Sequence, residues 1–177
     1  MSAPAAPADP RPGPLALRTT GPADSRALGE ALARALTVGD VVLLAGDLGA
    51  GKTTVVQGVA HGLGVTESVT SPTFTLLRPY PCHGPGPVRT LLHADLYRLE
   101  QLAEVVDLGI AELVEDEAVA VVEWGDVAGP ALGRPALTLT LADGDDEDER
   151  RVTVSGADAD PGRVAALASL LARWSAR

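Results

Sequence analysis

VVLLAGDLGAGKTT, residues 41–54, is the stretch whose reading decides the fold. VVLLAG (41–46) is continuously apolar, as expected of a strand buried on both faces rather than one. A glycine-rich turn follows, and KTTVVQGVAHGLG (52–64) then reads as a helix that Gly62 or Gly64 ends. Gly46, Asp47, Leu48, Gly49, Ala50, Gly51, Lys52 and Thr53 satisfy G-x-x-x-x-G-K-[ST] in full, directly after the strand and opening the helix. In such a loop glycines let the backbone turn successive N–H groups toward phosphate oxygens, and the helix N-terminus adds positive potential. The pattern assigns residues Gly46 to Thr53 to a nucleotide, Lys52 to its β- and γ-phosphates, and the Thr53 hydroxyl to Mg²⁺.

The surrounding composition sharpens this reading of Lys52. It is the only lysine among fourteen basic residues, the rest being arginine. A generic surface charge does not need lysine in a chain that uses arginine everywhere else. A compact ammonium on a flexible stem does what a planar guanidinium cannot.

At 177 residues the chain is long enough for one domain with a substantial core. Aromatic residues make up only 3%, so that core must be built from Val, Leu and Ala. The single cysteine, Cys82, cannot form an internal disulfide, and no apolar run approaches the roughly 20 residues of a membrane span. The expectation is a reduced, cytoplasmic protein without a membrane partner. A net charge of −10 argues against a broad nucleic-acid-binding face, which requires clustered Lys and Arg.

Along the chain, residues 1–14 hold five prolines and read as a disordered leader before a single domain over 15–177. LALRT (15–19) alternates like a short strand, and the next segment reads as a helix from Asp24, with Asp24 or Ser25 as N-cap. TFTLLRPY (73–80), VRTLLHADLY (88–97) and AVAVVEW (118–124) read as strands, with one or two short helices between the last two. ALTLTLA (136–142) and RVTVSG (151–156) alternate with period two across an acidic turn and predict a hairpin, followed by an amphipathic helix from near Pro161. The expected fold is a three-layer α/β P-loop NTPase, with a mixed, mostly parallel sheet and a C-terminal hairpin plus helix.

A P-loop enzyme also needs an acid on a neighbouring strand to hold the metal's shell. Glu123 ends AVAVVE, and Asp95 ends LLHAD, whose run His93 interrupts. SPTF (71–74) alone is ordinary turn chemistry, and HADLYR (93–98) alone could be a polar edge strand. Cys82-His83 lacks a second pair to complete a tetrahedral metal site, and DGDDEDE (143–149) lacks the spacing of a calcium loop.

Taken together in this order and spacing, GDLGAGKTT, SVTSPTFTL, HADLYRL and VEWGD resemble the TsaE (YjeE) family over about residues 19 to 127. The resemblance implies a one-domain P-loop ATPase, with ATP and Mg²⁺ as cofactors and hydrolysis that is weak in isolation. It implies partnership with TsaD and TsaB in threonylcarbamoyladenosine modification of tRNA, the tRNA being reached only through that complex. Carried onto this chain, it makes Gly46 to Thr54 the nucleotide loop and places Thr53 and Glu123 at the metal, Asp95 in a switch-like block and Trp124 in a Glu-Trp signature beside the site. Lys52, Asp95 and Glu123 are the expected catalytic residues. Two other readings stay open on the residues alone: a small-molecule kinase, and a nucleotide-dependent scaffold with little turnover. The kinase would require an arginine-bearing lid, and residues 125–150 offer only Arg134 and Arg150.

Overall fold

In a computed structural model, residues 13–72, 75–99, 102–125, 132, 137–156 and 161–176 are described. In chain order the strands are β1 (Leu15–Thr19), β2 (Val41–Ala45), β3 (Leu77–Pro81), β4 (Thr90–Asp95), β5 (Ala118–Glu123), β6 (Leu137–Asp143) and β7 (Arg150–Ser155). The helices are α1 (Pro22–Ala33), α2 (Lys52–Gly62), α3 (Leu102–Asp107), α4 (Ile110–Leu113) and α5 (Pro161–Leu170), with a 3₁₀ turn at Ala172–Trp174.

One seven-stranded sheet runs in the order β1-β7-β6-β2-β5-β4-β3. Its centre, β6-β2-β5-β4, is parallel, whereas β3 and the β7–β1 pair add on antiparallel at the two sides. The unbroken apolar run of β2 follows from this position. Val42 and Leu44 join a core with Leu28, Leu32, Val55 and Val59, contributed by α1 and α2. Val41 and Leu43 join a second core with Val105 and Ile110, from α3 and α4. All residues of β2 and β5 are buried, so neither strand has a polar face to alternate with.

The C-terminal elements are tied to the α1 side. Arg163 Nη1 donates to Asp40 Oδ1 at 3.1 Å, and Trp174 Nε1 donates to Asp24 Oδ1 at 2.9 Å. The backbone N–H of Ala176 donates to the Ala16 carbonyl at 3.0 Å.

Three local expectations are corrected. Helix α1 starts at Pro22 with Gly21 as N-cap, not at Asp24 or Ser25. Proline's fixed φ suits the first helical position, and Asp24, inside the first turn, accepts the Thr20 backbone N–H at 3.0 Å. Strand β3 begins at Leu77, because the Pro72 carbonyl captures the N–H groups of Thr75 and Leu76 and makes a turn there. Strand β4 ends at Asp95, since Asp95 Oδ1 takes the Tyr97 N–H at 3.1 Å and bends the chain out of the sheet. The hairpin lies within a residue of its expected bounds, and the closing helix starts at Pro161 as expected but ends at Leu170, short of the full 161–177 run, where the 3₁₀ turn takes over. Most of the expected leader (residues 1–12), Thr73 and Phe74 of SPTF, and the stretch containing Arg134 lie outside the described residues.

Candidate functional site

The loop between β2 and α2 is shaped by close packing as well as by glycine's freedom. Gly46 has φ 133°, and a Cβ there would lie 2.3 Å from the Leu141 carbonyl oxygen on β6. Beyond it, the Ala50 N–H closes a turn on the Asp47 carbonyl at 3.1 Å. Leu48 projects to solvent at 80% exposure, whereas Ala50 is buried. Helix α2 then starts at Lys52 with no side chain capping its first N–H groups.

Lys52 is itself buried, at 4% exposure. Its Nζ donates to the Gly46 carbonyl at 2.7 Å and to the Asp47 carbonyl at 2.8 Å, folding the ammonium back over the loop. The Trp124 ring covers it, with Nζ 3.8 Å from the ring centroid. Trp124 reaches this position from a backbone φ of 61°, a conformation costly for a bulky side chain. Tyr97, exposed at 56%, stacks on Trp124 from outside, with centroids 4.9 Å apart and rings tilted by 47°.

Asp95 and Glu123 end adjacent parallel strands and are register partners. Both are buried. Glu123 Oε1 accepts the Thr53 hydroxyl at 2.8 Å and also lies 2.8 Å from His93 Nε2. Asp95 faces the segment before β3: its Oδ2 accepts the Ser71 hydroxyl, while Oδ1 takes the Tyr97 N–H. The fold thus brings Lys52, Thr53 and Glu123 together at one loop and sets Asp95 one strand away, bonded to the first residue of SPTF. His93 and Ser71 are two contacts that sequence reasoning did not assign. Both lie in the blocks quoted above, but only the β4–β5 register and the return of residues 71–76 reveal their partners.

Oxygen donors dominate the site. Among the described residues there is no cluster of three or more His, Cys, Asp or Glu that could enclose a metal by itself. A hydroxyl and one carboxylate suit Mg²⁺, which keeps several waters and takes further oxygens from phosphates. Cys82 belongs to the core that α1 and α2 share, where burial pushes its thiol above the usual range against a smaller opposing effect from the Leu91 backbone. A separate groove of about 620 Å³ lies between α1, α2 and residues 65–69, lined by Arg26, Glu30, Gln57 and His61 among others.

A buried parallel strand, a glycine loop and a helix at the centre of a sheet with helices on both faces define a P-loop fold. Within that class the chain belongs to the TsaE family: the family model described as "Threonylcarbamoyl adenosine biosynthesis protein TsaE" matches residues 19–152. A tRNA threonylcarbamoyladenosine biosynthesis protein TsaE of Streptomyces coelicolor is 47% identical over 135 residues, covering 74% of this chain and 89% of that one. The protein of the same name in Bacillus subtilis is 41% identical over 143 residues, covering 80% and 87%. A crystal structure of Bacillus subtilis YdiB superposes with a TM-score of 0.69 at 32% identity, covering 90% of this chain and 95% of that one. Among the described residues no helix is long and apolar enough to cross a membrane.

Proposed function

We propose that this chain binds Mg-ATP on residues 46–54 and hydrolyses it in the service of tRNA threonylcarbamoyladenosine biosynthesis. The biosynthetic role rests on the family and on the relatives named above. The observation that carries the ATPase reading is the Thr53–Glu123 hydrogen bond of 2.8 Å beside the buried Lys52. It joins the loop's hydroxyl to a strand-end carboxylate, the pair a P-loop enzyme uses beside its metal.

When bound, ATP supplies the transferable phosphoryl group and Mg²⁺ neutralises charge on it. Each residue then has a separate task. The N–H groups opening α2 and the Lys52 ammonium face the phosphates. The Thr53 hydroxyl and Glu123 hold the metal side. Asp95, bonded to Ser71, couples the SPTF segment to the strand end beside Glu123. TsaD and TsaB are the proposed partners, in the cytoplasm, and tRNA is engaged through them, since a chain of net charge −10 makes a poor phosphate-backbone binder.

The test is a reconstituted modification assay with TsaD, TsaB and a large molar excess of tRNA over enzyme. Wild type is expected to hydrolyse ATP slowly alone, faster with the partners, and to sustain many modification cycles. Lys52→Ala is expected to stall. Equal cycle numbers for the two proteins would remove ATP hydrolysis from the proposal.

A further inference from the structure

We infer that His93 is a positioning residue for Glu123: its imidazole fixes the carboxylate in the orientation that receives the Thr53 hydroxyl. The inference rests on the Mg-ATP reading of the site for its consequence, but on geometry for its substance.

His93 lies on β4 in register with Val121 on β5, two residues before the Asp95–Glu123 pair. Val121 belongs to the core under α1 and α2, so His93 and Glu123 both project to the face that carries Thr53. The imidazole is fully buried, and Nε2 stands 2.8 Å from Glu123 Oε1. Nδ1 is buried with no hydrogen-bond partner. A carboxylate oxygen only accepts, so Nε2 carries the proton and donates it. Nδ1 is then a bare lone pair, a smaller loss than an orphaned N–H would be. The buried pair therefore settles on one tautomer, Nε2–H.

Oε1 consequently receives two donors from two different elements: Thr53 on α2 and His93 on β4. A glutamate with three rotatable bonds needs such a constraint to hold one orientation. A core histidine with no positioning role would fill volume equally well as leucine. That difference is measurable.

The first readout requires no metal or nucleotide. The chain has three histidines, so the imidazole nitrogens are separable by ¹⁵N NMR. His93 is expected as the Nε2–H tautomer with a slowly exchanging ring proton, and Glu123→Ala is expected to accelerate that exchange at least tenfold. The second readout is the Mg²⁺ concentration needed for half-maximal ATP binding, followed by calorimetry. His93→Gln, whose amide N–H reaches about as far as Nε2, should stay within threefold of wild type. His93→Leu and His93→Asn, which lack a donor at that reach, should require about tenfold more Mg²⁺, with little change in affinity for ATP in EDTA. Should the leucine variant not fold, the Gln and Asn pair decides alone. Equal Mg²⁺ requirements for that pair, or an Nδ1–H tautomer, would overturn the inference while leaving ATP binding intact. A wild type that binds no ATP in Mg²⁺ would overturn the nucleotide reading itself, and this consequence with it.

Discussion

The Lys52 ammonium sits between two backbone carbonyls and the face of Trp124, 3.8 Å from the ring centroid. One small cation with three diverging donors serves both carbonyls and the ring face at once. A guanidinium is wider and planar, and it stacks on a ring with an in-plane donor fork rather than meeting the loop as a point charge. Lys52→Arg should therefore behave like Lys52→Ala rather than like wild type. Calorimetry with Mg-ATP is expected to show at least about tenfold weaker binding for both, ~1.4 kcal/mol. Near-normal binding by the arginine variant would contradict this account.

Trp124 should also report on occupancy. The chain has two tryptophans, and Trp174 is held by Asp24 near the C-terminal end of the chain. In a Trp174→Phe background all indole emission comes from Trp124. Redirecting the ammonium toward phosphates removes a cation from the ring face, so ATP should change the emission. Adding Lys52→Ala should abolish that change at any ATP concentration.

The two strand-end acids should separate in their metal dependence. Glu123 bonds the Thr53 hydroxyl, whereas Asp95 bonds Ser71 and the Tyr97 backbone. Glu123→Ala should raise the Mg²⁺ concentration needed for hydrolysis, about tenfold or more, while Asp95→Ala lowers the maximal rate at an unchanged Mg²⁺ requirement. Phosphate release measured across a Mg²⁺ series decides between them. Glu123→Ala should in addition cost about 1–3 kcal/mol of stability, because it strips the buried His93 donor of its acceptor.

Cys82 gives a pH prediction. Burial raises its folded-state pKa above the ordinary 9.0, so the unfolded chain ionises first as pH rises. Its contribution to stability is complete below that ordinary value and is lost as pH climbs through the raised one. Melting temperature should thus fall, as pH rises above about 9, more steeply for wild type than for Cys82→Ala. Parallel curves would show that the thiol ionises alike in both states and that burial does not move it.

The central strand, the loop and both acids were legible because each is a local pattern. A continuous apolar run, a glycine spacing and a carboxylate at a run's end need no partner to be read. What escaped depends on pairing. His93 looked like an interruption of an apolar run until the β4–β5 register set it two residues before Glu123 on the same face. The start of β3 was misjudged because the Pro72 carbonyl, not strand propensity, controls Thr75 and Leu76. The N-cap of α1 was misassigned because Asp24 has the right chemistry at the wrong turn: its carboxylate serves Thr20 from inside the helix.

Where Gly29 and Gly58 meet, helices α1 and α2 leave no room for a methyl group. A Cβ on Gly29 would fall 2.2 Å from the Val55 carbonyl oxygen, and one on Gly58 would fall 2.0 Å from that of Arg26. Both obstacles are main chain, so no rotamer change elsewhere makes space. A swap of large for small across this seam offers no compensating route, and each glycine is constrained independently of the other. Lys52 begins one of the two helices so joined, and the anchorage of the lysine proposed to meet phosphate is therefore a property inherited from two residues outside the loop.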